Sequence, residues 1–246
     1  MSKMKVKRNI SKLLVLLVIA LVLGALGYFN EEILPSSENS NLSNVAINID
    51  NIPDYSGEPY IYINNNVPCF NSEELNTKEV EYYSELDAYG RCGVVYANIC
   101  KNIMPADDEE RESISHVIPS GWKQVAYKGI VEGNYLYNRC HLIGYQLAGE
   151  NANECNLITG TRYMNTEGML PFENMVAEYI DNNPDNHVLY RVTPIFKGNN
   201  LVASGVQMEA FSVEDNGNGI CFNIYVYNVQ PGVEIDYSDG SSQLAK

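Results

Sequence analysis

The apolar residues of this chain change rhythm several times, and each rhythm marks a different kind of element. From Leu13 to Phe29 they are nearly continuous, behind a head carrying Lys3, Lys5, Lys7, Arg8 and Lys12. A basic head before an apolar run reads as an export signal or a signal anchor, which makes residues 13–29 a candidate membrane tether. The core of the run is somewhat short for a full span. Residues 30–58 are rich in Asn, Ser, Glu and Asp and have little period, so they read as a flexible polar spacer. A short β-prone run then leads from Pro59 into the turn cluster Asn64–Asn66. Gly93–Ala97 reads as a buried strand, Asp107–Arg111 as a charged, solvated stretch, and Pro119–Trp122 as a packed turn holding the single Trp.

The middle of the chain alternates differently. Tyr135–Ile143 predicts a strand, residues 149–154 a polar loop, and Cys155–Thr159 a second strand that Gly160 breaks. Met169, Phe172, Val176, Tyr179 and Ile180 then recur at helical spacing, with Pro171 near the helix start and Pro184 beyond its end. The order is therefore strand, loop, strand, helix. After it, His187–Phe196, Leu201–Phe211 and Ile220–Val229 predict an antiparallel meander. Gly232 onward reads as a tail. The expected fold is α+β: a central antiparallel sheet flanked by helices, in one domain over residues 59–237, with residues 238–246 left over.

Composition narrows the functions open to such a domain. Eighteen Tyr and six Phe in 246 residues exclude a wholly disordered chain, and a single long apolar run excludes a polytopic membrane protein. Acidic residues outnumber basic ones 31 to 16, for a net charge of −15. Five of the cations sit in the N-terminal head, so the remainder is near −20 (11 − 31). Sequence-blind adhesion to polyanions is disfavoured, and any nucleic-acid site must be a local basic cleft. Six Cys behind an export segment permit up to three disulfides, and a pair between Cys140 and Cys155 is conceivable across the predicted hairpin. No CxxC occurs and His116, His141 and His187 are scattered, which disfavours zinc.

The strand-loop-strand-helix segment carries chemistry. Arg139 and His141 are two apart on a strand and so share a face. A neutral imidazole can take a proton from water, with activity falling below its ordinary pKa of roughly 6.5. A guanidinium can brace a phosphate. Asn165 and Glu173 offer hard oxygens suited to Mg²⁺, most of whose coordination would be left to water and substrate. His, Arg and a thinly held cation suffice for phosphodiester hydrolysis. Taken singly, each has a plainer reading: a structural His, an Asn cap, a first-turn Glu.

Asn138-Arg-Cys-His141 resembles the Asp-Arg-Gly-His motif of the DNA/RNA non-specific endonuclease family, within the ββα-metal (His-Me finger) superfamily. Asn156-Leu-Ile-Thr159 resembles that family's Asn-Ile-Thr strand, and Asn165 with Glu173 matches its metal Asn and the Glu eight residues on. Leu86-Asp-Ala-Tyr-Gly-Arg91 resembles a segment of the streptococcal-type secreted and DNA-entry nucleases. The resemblance implies an embedded ββα-metal motif and extracellular, Mg²⁺-dependent (or Mn²⁺-dependent) cleavage of DNA and RNA without an obligate protein partner. It implies His141 as general base, Arg139 as an organiser of the site or of the phosphate, Asn165 as direct metal ligand, and Glu173 acting through metal-bound water. Arg162 and Arg91 become phosphate-binding candidates. The chain departs from the motif in Asn138 for Asp, in Cys140 for a small residue, in Gly160-Thr161 where the family has Pro-Gln, and in a shortened span between His141 and Asn165. Cys140, next to His141 on a strand, is expected to face away from it. The rival reading is a non-catalytic surface or adhesion domain that keeps the nuclease fold.

Overall fold

The computed structural model describes residues 52–106 and 111–246. The basic-apolar segment, all but the end of the spacer, and residues 107–110 lie outside the described residues. Among the described residues no helix is long and apolar enough to cross a membrane.

In chain order the strands are β1 (Tyr60–Tyr62), β2 (Glu81–Tyr83), β3 (Val95–Ile99), β4 (Tyr137–His141), β5 (Leu157–Thr161), β6 (Val188–Ile195), β7 (Gly205–Ser212), β8 (Cys221–Tyr227), β9 (Val233–Ile235) and β10 (Ser242–Leu244). Six of them form an antiparallel sheet in the order β1-β8-β7-β6-β3-β2. The predicted meander is its centre. Period-two alternation gives the sheet two unlike faces. Val188, Tyr190 and Val192 on β6, Val206, Met208 and Ala210 on β7, and Phe222, Ile224 and Val226 on β8 join one hydrophobic core. Arg191, Glu209 and Asn223 alternate with them, and Arg191 pairs with Glu209 at 3.0 Å and with Glu74 at 3.1 Å. That second set draws the segment around Cys69–Glu74 onto the sheet, because Arg191 also donates to the Cys69 carbonyl at 2.8 Å.

The apolar face is covered by a helix. Helix α2 (Leu170–Asn182) follows α1 (Tyr145–Ala148) in the chain and buries Phe172, Val176 and Ile180, spaced four apart. Phe172 meets Phe222 and Tyr60 at ring-centroid distances of 4.9 and 4.8 Å. Pro171 sits in the first turn of α2, where its fixed φ suits the helix.

Strands β4 and β5 form a separate antiparallel hairpin beside this core. Cys140 points into the core and His141 does not share that face, as the alternation requires. Gly160 does not break the second strand. It lies within β5 opposite Asn138, and a Cβ there would come within 2.4 Å of Cys140 Sγ and 2.5 Å of Met164 Cε. The glycine serves close packing of the hairpin, so the strand runs two residues beyond the predicted Thr159. The residues after Gly232 are also more ordered than expected: β9 and β10 pair as a hairpin, and Tyr137 Oη donates to the Gly240 carbonyl at 3.0 Å. All six cysteines are free thiols, and Cys140 is not bridged to Cys155.

Candidate active site

The hairpin and the start of α2 enclose an open cavity of about 690 Å³ lined by Asn138, Arg139, His141, Arg162, Asn165 and Glu173. Local sequence explains how these groups meet. Asn156 is fully buried at the foot of β5. Its side chain accepts from the Ile143 N–H at 2.9 Å and donates to the Ile143 carbonyl at 3.0 Å, fixing the chain just beyond His141. Thr161 accepts from the Met164 N–H at 2.9 Å and turns β5 into the helical segment. The first part of that segment, Met164–Met169, is a π-helical turn, with the Leu170 N–H reaching back to the Asn165 carbonyl. A π turn absorbs one extra residue, so the eight positions from Asn165 to Glu173 span roughly two full turns and return to one face.

His141 is buried, and its Nε2 lies 2.7 Å from the Asn151 carbonyl. A carbonyl only accepts, so Nε2 carries the proton and Nδ1 carries the lone pair. Arg111 Nη2 lies 3.4 Å from Nδ1. Burial first, and then the Arg111 charge, lowers the imidazole pKa to about 4, despite the opposing hydrogen bond to Asn151. The ring is thus held neutral well below the 6.5 of an unperturbed imidazole.

Glu173 is buried with its carboxylate against Gly144: a Cβ on that glycine would lie 2.8 Å from Cδ and Oε2. Burial alone raises its pKa, to about 7. No ion pair among the described residues relieves it. A buried carboxylate without a cation, beside the amide of Asn165 in one cavity, fits a hard divalent ion. No group of three or more His, Cys, Asp or Glu side chains forms a metal cage among the described residues.

Arg139 donates to the Val117 carbonyl at 2.5 Å and to the Ser115 carbonyl at 2.8 Å, and its guanidinium lies 4.2 Å from the Trp122 ring. It pins the 115–122 segment along the cavity wall. Arg162 lines the cavity; among the described residues its buried Nε has no hydrogen-bond partner, and its one ion pair is a 3.6 Å contact to exposed Glu132. Arg91 does not reach the site. Asp87 takes its Nε at 2.7 Å, the carbonyls of Gly198 and Asn200 take Nη1 at 2.8 and 3.1 Å, and the rings of Tyr89 and Phe196 flank it. Those contacts close the Leu86–Arg91 turn, and Arg91 is not among the residues lining the cavity.

The family model for DNA/RNA non-specific endonuclease matches residues 71–214, more than half of the chain. The chain belongs to that family. A deoxyribonuclease of Streptococcus dysgalactiae subsp. equisimilis is 26% identical over 207 residues, which cover 69% of this chain and 62% of the relative. The chain thus matches less than two thirds of that relative's length. The crystal structure of NucA from Streptococcus agalactiae with magnesium ion bound superposes with a TM-score of 0.68 at 27% identity, covering 80% of this chain and 92% of that one. The Sda1 nuclease with bound zinc ion gives 0.66 at 25% identity, covering 76% and 97%. The family's hairpin-helix unit in this chain also uses residues that sequence reading passed over. Arg111 was grouped with a solvated acidic run, yet it stacks 5.0 Å over Tyr145 and donates to Asn151 Oδ1 at 3.0 Å. Asn151 looked like an ordinary loop amide, and its role rests on a backbone carbonyl that no side-chain pattern reports. Gly144 was findable in principle, as a glycine directly after the strand that bears the His.

Proposed function

We propose that this chain is an extracellular, divalent-metal-dependent endonuclease that hydrolyses phosphodiester bonds in DNA and RNA, with His141 as general base. The observation that carries the proposal is the fixed tautomer of His141. Its Nε2–H is committed to the Asn151 carbonyl, which leaves the Nδ1 lone pair facing Arg111 Nη2 at 3.4 Å, in the cavity whose lining includes Asn165, Glu173 and Arg162. Held neutral, Nδ1 takes a proton from water as the water attacks phosphorus. Arg162 and Arg111 brace the non-bridging phosphate oxygens, while Arg139 keeps the wall in place. Asn165 and the ionised form of Glu173, the latter through water, would hold Mg²⁺ or Mn²⁺. The ion when bound stabilises charge on the phosphate and the leaving oxygen. Because these groups address phosphate rather than base edges, the activity is expected to show little sequence preference. The basic head and apolar run of residues 1–29 support an extracellular or membrane-tethered site of action.

The test is cleavage of supercoiled plasmid and of RNA by the full chain, with Mg²⁺, with chelator, and with Mg²⁺ restored. Cleavage that chelator abolishes and Mg²⁺ recovers is expected, with His141→Ala slower by several orders of magnitude. Absence of cleavage with either ion, or near-wild-type rates in His141→Ala, would overturn the reading.

A further inference from the structure

Cys92 and Cys155 are far apart in the chain but adjacent in the fold. Cys92 precedes β3 and is buried. Its Sγ lies 3.3 Å from the Glu154 carbonyl oxygen and 3.3 Å from the Leu157 carbonyl oxygen. Cys155 stands between those two residues, half-exposed, in a 3-10 turn spanning Glu154–Asn156. A carbonyl oxygen is about 2.8 Å from the next Cα across a planar trans peptide, so Cys92 Sγ is at most about 6 Å from the Cys155 Cα. A closed disulfide brings Sγ to about 4 Å from the partner Cα, so closure takes a side-chain rotation and a shift of at most about 2 Å. Thiols are weak donors, so little is lost if Sγ changes partner. The turn is already shaped, because the Cys155 N–H donates to Asn153 Oδ1 at 2.9 Å.

We propose that Cys92 and Cys155 form a disulfide that staples the base-orienting loop to the main sheet. The turn bearing Cys155 continues directly from the loop whose Asn151 carbonyl holds His141 Nε2. It also contains Asn156, which grips Ile143. A bond here ties both supports of the imidazole to the segment entering β3. Burial pushes the Cys92 thiol up to about 12, and the proximity of Cys155 adds to the rise. The more accessible Cys155 is therefore the entry point. Its thiolate attacks a small-molecule disulfide and expels one thiolate. Cys92, deprotonated in turn, attacks Cys155 Sγ of the mixed disulfide and expels the second. Two protein thiols are oxidised, one small disulfide is reduced to two thiols, and the two protons pass from protein to leaving groups.

The experiment incubates the reduced full chain, folded and also during refolding, with glutathione disulfide. Remaining thiols are then alkylated in denaturant and the peptides mapped by mass spectrometry. A linked Cys92–Cys155 peptide pair is expected, with Tm higher by roughly 5–15 °C and restored to its starting value by reductant. Cys155→Ser, at a half-exposed position, should lose the link and the Tm shift together. Cys92 and Cys155 both recovered in alkylated form, or a link joining either to another cysteine, would overturn the proposal. Peptide mapping reads the bond directly, so its outcome is independent of whether the chain cleaves nucleic acid.

Discussion

His141 and Glu173 are shifted in opposite directions by the same cause, since burial penalises whichever form is charged. In metal-free protein this makes their contributions to stability oppose one another. His141 titrates near 4 when folded against an ordinary 6.5, so between those values the unfolded chain holds a proton that the folded chain does not, and stability falls as pH drops. Glu173 titrates near 7 against 4.5, so the folded chain holds the extra proton in that window and stability falls as pH rises. Each effect, fully developed, is on the order of 3 kcal/mol. Thermal melts in chelator should therefore show His141→Ala gaining on wild type as pH falls from 6.5 to 4. Glu173→Gln should gain on wild type as pH rises from 4.5 to 7. Curves that stay parallel to wild type would mean that the two groups are not buried as described. With metal present the same residues should separate by role. On the proposed metal site, Asn165→Ala should stay nearly inactive at high Mg²⁺, whereas Glu173→Gln should be milder and partly recovered by titrating Mg²⁺ upward. Full activity of Asn165→Ala at ordinary Mg²⁺ would place the metal elsewhere.

At the scale of elements, the hairpin and helix depend on two glycines that do opposite things for the site. Gly144 leaves space for a carboxylate, and Gly160 leaves space for the Cys140 thiol and the Met164 methyl. Gly160→Ala should cost about 1–3 kcal/mol through overpacking, read as a lower denaturation midpoint. Combining it with Cys140→Ala should give part of that back, because the two side chains compete for one volume. Equal losses in the single and double variants would show that the clash is relieved elsewhere. These glycines also show where sequence is legible and where it stops being so. The strands around Arg139 and His141, the helix from Phe172 to Ile180 and the C-terminal meander follow from apolar period alone, because burial of one face dictates that period. A turn glycine and a packing glycine look the same in sequence until the opposite strand is known, which is why Gly160 reads as a strand breaker and serves packing instead. The register of Asn165 against Glu173 depends on a π turn, whose extra residue leaves no mark in composition. Arg111 and Asn151 were invisible for a related reason: their importance comes from two loops meeting over His141, and loop encounters have no period.

Across the whole molecule, an acidic body carries a small basic cavity. The cavity-lining arginines are Arg111, Arg139 and Arg162, against a formal net charge of −15. Substrate affinity should therefore depend on salt less steeply than for a basic nuclease, with a log–log slope of magnitude no greater than about 3. A much steeper slope, measured from KM on a defined oligonucleotide between low and moderate salt, would require a second cationic surface. The sheet order has a different consequence, for a protein at high concentration. Its two outermost strands, β1 and β2, are only three residues long. The eight-residue β6 and β7 are interior, with every position paired to a neighbour. A passing strand from another copy finds only a short ladder to extend at either edge of this sheet, so its longest strands cannot template edge-to-edge aggregation while the fold is intact.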